Sequence, residues 1–143
     1  MSETEQQTDS RTKGENNMFW NCMAAGAGGF IGSVMRYLVG MIPFLSRHDF
    51  PLQTLTVNFV GAFVIGLIAG NMDTGGWLSG RAVTFLKVGV CGGFTTFSTF
   101  SLESLGMIEA GRIGLFGAYA VTSVGLCLLG VFLGKTAAGV VYA

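Results

Sequence analysis

The sequence predicts an all-α membrane protein with four transmembrane helices, the third broken near its middle. Three observations carry that reading. Half of the 143 residues are hydrophobic and only 11% are charged, against about a quarter charged in soluble domains. Mean hydropathy is +0.59. Four long apolar stretches each reach the roughly 20 residues that an α-helix needs to cross a hydrocarbon core of about 30 Å. Backbone groups in lipid must be satisfied internally, which favours helices. The short alternating segments of a membrane β-barrel are missing from the sequence.

Residues 1–17, MSETEQQTDSRTKGENN, are polar and unpatterned. They read as a disordered tail ahead of one transmembrane domain over 18–143. Their mixed charge does not suit a signal peptide. The first span covers about 19–42 and is uncharged from Met18 to Met35, before Arg36. After the polar turn SRHDFP comes Leu52 to Met72, 21 residues without charge. DTGGWLSGR has turn chemistry. The third apolar run covers about 82–106, with Lys87 near its start and Glu103 near its end. Ile113 to Gly134 is a fourth run of 22 uncharged residues.

Gly28/Gly32, Gly66/Gly70 and Gly130/Gly134 have GxxxG spacing. Gly26, Gly29 and Gly40 add further small positions to the first span. Small residues let membrane helices approach closely, and these glycines are assigned to packing alone. The cysteines Cys22, Cys91 and Cys127 lie in different apolar runs without CxxC spacing. They read as small buried hydrophobes. His48, the single histidine, sits in a polar turn and is given no role. Eight basic and eight acidic residues leave no net charge and no basic stripe, so nucleic acid is not an expected partner.

Four helices make a thin bundle that hardly encloses a polar path by itself, so an oligomer in the lipid bilayer is expected. With both termini on one side, that side carries Arg11, Lys13, Arg81, Lys87 and Lys135; the other carries Arg36, Arg47 and Arg112. Basic residues set orientation, and here they scarcely choose. Insertion both ways round, which permits an antiparallel dimer, and a weakly biased single topology both stand.

The third run contains CGGFTTFSTFS, residues 91–101. A Gly-Gly pair weakens a helix by about 1 kcal/mol per Gly relative to Ala, and Thr-Thr follows it, so a break is expected here. A break frees carbonyls, which discontinuous membrane helices use to hold cations. Five hydroxyls fall within the seven positions 95–101. They are either donors to a dehydrating anion or bonds to carbonyls one turn back. Phe94, Phe97 and Phe100 recur every third residue. Their ring edges carry partial positive charge and suit an anion, although a Phe row alone is ordinary packing. Asn58 is an amide inside the second span that suits either an anion or a neighbouring helix. Tyr119, Thr122 and Ser123 bring hydroxyls to the fourth span. Arg36 either snorkels to the interface or attracts anions into a vestibule. For Glu103 and Glu109, a solvated position at a span end is the simplest account.

The segments GGFIGSVMRY (28–37), TLTVNFVGAFVIG (54–66), CGGFTTFSTFSLE (91–103) and YAVTS (119–123) together resemble the Fluc/CrcB fluoride channels of microbes. That resemblance implies an antiparallel, dual-topology homodimer with two fluoride pathways in a cell membrane, exporting fluoride passively and so lowering it in the cytoplasm. It implies a central structural sodium ion (Na+) held by the carbonyls of Gly92 and Thr95 of each subunit. Phe97 and Phe100 become pathway aromatics and Asn58 the pore amide. Ser98, Thr99 and Ser101 become a polar track that Tyr119 and Ser123 face. Arg36 lies at the vestibule, and Glu103 is the motif's acid. Phe94 is assigned to packing. The longer tail and Lys87 bear on the charge balance, and so on strict dual topology.

Two other classes compete. A small four-span, proton-coupled multidrug exporter needs a membrane-embedded carboxylate, which the first, second and fourth runs lack. A noncatalytic assembly subunit explains the glycines but not the hydroxyls. No His, Cys or carboxylate cluster suggests an enzyme.

Overall fold

A computed structural model describes residues 3–46 and 49–141, so His48 and Arg47 of the first loop lie outside the described residues. All regular elements among the described residues are helical. Helix α1 runs Glu3–Gly40, α2 is the single turn Pro43–Ser46, and α3 runs Leu52–Asp73. A broken segment follows. It consists of α4 (Gly80–Val83), a π-helical stretch Thr84–Cys91, α5 (Gly92–Phe94) and α6 (Phe97–Glu109). The chain ends in α7, Ile113–Val141.

Among the described residues, three stretches are long and apolar enough to cross a membrane: Asn16–Gly40 of α1, Leu52–Asp73, and Ile113–Val140 of α7. Helix α1 begins within the polar stretch, at Glu3, and the apolar crossing starts at Asn16.

The helix ends follow from local sequence. The Ser79 side chain caps α4 by accepting from the Ala82 N–H, as N-cap serines do. Two helices end in Schellman motifs, which put a residue in the left-handed region. After α3 that residue is Gly75 (φ 70°), with Gly75 N–H donating to Met72 O and Gly76 N–H to Asn71 O. After α6 it is Gly111 (φ 70°), with Gly111 N–H donating to Ile108 O and Arg112 N–H to Met107 O.

Glycines set the packing, as the sequence suggests. A Cβ on Gly66 would strike Val131 O, and one on Gly134 would strike Phe63 O; Gly70 lies against Lys135 and Ala138, and Gly130 against Phe59. Helices α3 and α7 therefore lie in backbone contact and run parallel. Ion pairs close both ends: Asp49–Arg112 at 3.0 Å before the helices begin, and Asp73–Lys135 at 2.7 Å near their other end. In a second parallel pair, Gly28 of α1 meets Phe85 and Gly89, Gly32 meets Val90 and Phe94, and Gly93 sits on Gly29. Gly26 and Gly29 would place a Cβ in open space, while Gly40 meets the Gln53 side chain. Cys91 is buried and Cys127 half-buried, whereas Cys22 is exposed on α1.

Candidate functional site at the helix break

The break falls at Thr95–Thr96, three residues after the Gly-Gly pair begins. Gly92 is itself helical (φ −62°, ψ −37°). Thr95 has ψ 161°, and Thr96 is extended at φ −152°, ψ 119°. The expected break is thus present, but the threonines make it. Gly93 serves the contact with α1, while Gly92 is exposed, with nothing within 4 Å of where a Cβ would stand.

Asn58 of α3 completes the break. Thr96 N–H donates to Asn58 Oδ1 at 2.7 Å, and Asn58 Nδ2–H donates to Thr96 O at 3.0 Å. The amide thus binds both backbone groups of one residue and joins the α3/α7 pair to the broken segment. Because Thr96 N–H turns to Asn58, it does not make the usual helical bond to the carbonyl four residues back, that of Gly92. The last helical bond before the break is Thr95 N–H to Cys91 O at 2.9 Å. Arg36 of α1 points its Nη1 at Thr95 O from 3.5 Å, so it lies beside the break rather than free at the interface.

The five hydroxyls divide by role. Thr96 is the N-cap of α6, its Oγ1 accepting from Thr99 N–H. The same hydroxyl donates to Thr99 Oγ1 at 3.0 Å and lies 3.2 Å from Ser98 Oγ. Thr95 Oγ1 donates back to Cys91 O, and Ser101 Oγ back to Phe97 O, each at 2.9 Å. For those two, the one-turn-back alternative describes the geometry. The cap directs the N-terminal N–H groups of α6, the positive end of its dipole, toward the break.

Glu103 is not a solvated terminus. Thr54 Oγ1 donates to its Oε1 at 2.8 Å and Tyr119 O–H to its Oε2 at 2.7 Å. The simple solvated account fails because α6 packs this turn against α3 and α7, where both donors are buried. The carboxylate test used against a proton-coupled exporter loses its force with it. Rings continue from here. Phe97, 79% exposed, has its centroid 5.5 Å from that of Phe100; Phe100 lies 5.0 Å from Tyr119, and Tyr119 meets Phe50 nearly edge-on at 5.5 Å. Phe94, by contrast, is buried, the packing role expected of it.

Among the described residues, cavities lie near the break. One of about 280 Å³ is lined by Asn58, Thr95, Thr96, Phe97 and Cys127 among others. One of about 250 Å³ touches Asn58, Phe97, Phe100, Ser123 and Cys127. The third, about 490 Å³, lies beyond Arg36 and Thr99. Ser123 is 7% exposed, and its hydroxyl has no hydrogen-bond partner among the described residues. The structure thus brings Asn58, Thr95, Phe97, Phe100 and Ser123 around two adjoining cavities. Arg36 and Thr99 face a third, while Glu103 is bonded to Tyr119, whose ring meets Phe100; Ser98 and Ser101 are exposed and Gly92 faces outward.

Sequence reasoning missed Thr96 and Thr54. Thr96 stands where an N-cap should precede a helix. Thr54 lies four residues before Asn58, on the same helical face.

Apolar helices of spanning length around a broken, polar, internally bonded segment define a multi-pass membrane protein. The family model described as CrcB-like protein, Camphor Resistance (CrcB), matches residues 23–135. The chain belongs to the CrcB family. It is 44% identical over 118 residues to the Fluoride-specific ion channel FluC of Elusimicrobium minutum, covering 81% of this chain and 91% of that one. It is 48% identical over 103 residues to FluC 1 of Nitrobacter hamburgensis, covering 71% and 82%. With FluC of Rhizobium meliloti it shares 46% over 114 residues, covering 78% and 90%. These relatives are named as ion channels, not as enzymes.

Proposed function

We propose that this chain is a fluoride-selective channel that lets fluoride leave the cytoplasm passively, and that its path runs beside the Thr95–Thr96 break. The observation carrying this is the Asn58–Thr96 pairing, which sets polar groups and Phe97 against the same cavities in a chain whose relatives are named fluoride-specific channels.

The broken segment is the third of four crossings. Support comes from direction: α3 and α7 run parallel, so the chain between them must return through the full thickness of the bundle. Two copies then assemble antiparallel. A single chain leaves Gly92 and Phe97 exposed beside the polar break, and a second copy would cover them.

Fluoride is small and strongly hydrated. A dry path must replace its water by several weak sites in series, so that entry and exit both remain possible. Hydroxyls and the edges of the Phe97 and Phe100 rings suit that task. Arg36 would draw anions toward Thr99 from the cavity they share, while Glu103, fixed by Thr54 and Tyr119, keeps those two donors oriented. The chemistry at Gly92 and Thr95 fits a hard monovalent cation. The Gly92 carbonyl has lost its helical donor, and Thr95 turns away from the helix with only the long Arg36 approach. Sodium held there between two copies would tie them together, and its charge would favour a nearby anion.

The half-buried Glu103 favours one second reading, a proton-coupled exporter of cationic drugs. Liposomes loaded with fluoride, in buffer without a proton gradient and with a protonophore added, separate the two. The channel reading expects full, passive fluoride efflux. Fluoride retention in these liposomes, together with drug uptake in separate vesicles that hold a proton gradient and no protonophore, would replace it by the exporter.

A further inference from the structure

We propose that Cys127 is a binding site for soft, thiophilic metal species, and that occupation of this thiol shuts fluoride passage. The inference rests on the channel reading above and adds a site to it. Tyr119, Ser123 and Cys127 are spaced by four residues, on one face of α7. Cys127 lines both the 280 Å³ and the 250 Å³ cavity, each of which Asn58 and Phe97 also line. It therefore stands where the two cavities adjoin. Ser123, 7% exposed with an unpartnered hydroxyl, lines the second of them. Cys127 is a free, half-buried thiol.

The rest of the second cavity is apolar: Val124, Leu128 and the two Phe rings. Such a lining admits a neutral, lipid-soluble reagent. Soft metals prefer thiolate sulfur, and methylmercury needs only one such ligand because its second position is already a methyl group. In the step, the thiol S–H bond breaks, sulfur bonds to mercury in place of chloride, and a proton and a chloride ion leave. No redox change occurs. The other cysteines differ in place: Cys91 is buried among helices and Cys22 lies on the exposed side of α1.

The test uses the full chain in liposomes and methylmercury chloride as the probe. Fluoride efflux after treatment is read against the same preparation untreated, and intact mass reports mercury on each cysteine. Wild type and a Cys22→Ser/Cys91→Ala variant should lose flux by about tenfold or more, as expected when one site in a narrow serial path is filled. An excess of dithiol should restore it. Cys127→Ser should show no loss on treatment. The single variants Cys22→Ser and Cys91→Ala serve if the double variant does not assemble. Inhibition that persists in Cys127→Ser overturns the proposal. So does a Cys127 that carries mercury while flux is unchanged, or one that stays unmodified. Untreated flux reports separately on the channel reading, so the two failures are distinguishable.

Discussion

Asn58 and Thr96 complete one another: the amide of one side chain satisfies both the N–H and the C=O of the other residue's backbone, at 2.7 and 3.0 Å. A chain that leaves helical geometry inside lipid needs such a partner, since an unpaired buried polar group costs about 1–3 kcal/mol. The amide can satisfy both backbone groups because it carries one acceptor and a donor side by side.

Asn58→Asp is expected to break this match. A carboxylate oxygen would replace the donor and face Thr96 O, a repulsion that also buries charge. Fluoride efflux from liposomes should fall by about tenfold or more, with a stability loss of about 1–3 kcal/mol in detergent unfolding. Wild-type flux and stability would show that the pairing is dispensable.

Phe97→Ile keeps an apolar side chain but removes the ring edge. The ring is largely exposed, so it contributes little to the core of a single chain. Flux should be suppressed while size-exclusion profile and melting temperature stay near those of wild type. Unchanged flux would return Phe97 to packing.

Tyr119 and Thr54 both donate to Glu103. Tyr119→Phe and Glu103→Met, each of which removes one partner of the bond, should each destabilise, and less than additively together. A coupling of about 0.5–1.5 kcal/mol is expected for one such hydrogen bond. A double-mutant cycle on thermal unfolding measures it, and additive losses would mean that the bond contributes nothing.

The glycine contacts make a contrast. Gly134→Ala drives a methyl group into Phe63 O, where the backbone cannot yield without separating α3 from α7, whereas Gly139→Ala meets open space. The first should lower the unfolding midpoint clearly and the second should not. Equal effects would contradict the packing described.

Much of this was legible in the sequence, and the misses are instructive. Charge-free runs locate α1, α3 and α7 because length and apolarity alone decide a crossing. The third run also announces a break, yet the glycines that advertise it are helical. Gly93 serves the close approach of α1, a tertiary demand that local propensity does not encode, and the departure falls on Thr95–Thr96, where Asn58 waits across the bundle. Glu103 misled for a similar reason. Its place near a span end suggests water, but burial depends on Thr54 and Tyr119, 49 and 16 residues away. The hydroxyls of Ser101 and Thr95 look alike in sequence to those of Ser98 and Thr99. Only geometry separates those bonded one turn back from those gathered at the α6 cap.

The most direct measurement is anion selectivity in reconstituted vesicles. A fluoride electrode and a chloride electrode would follow wild type beside Asn58→Asp. The account predicts that wild type empties the vesicles of fluoride while chloride stays inside, and that the variant releases fluoride far more slowly. Equal release of both halides by wild type, or a variant as fast as wild type, would contradict it.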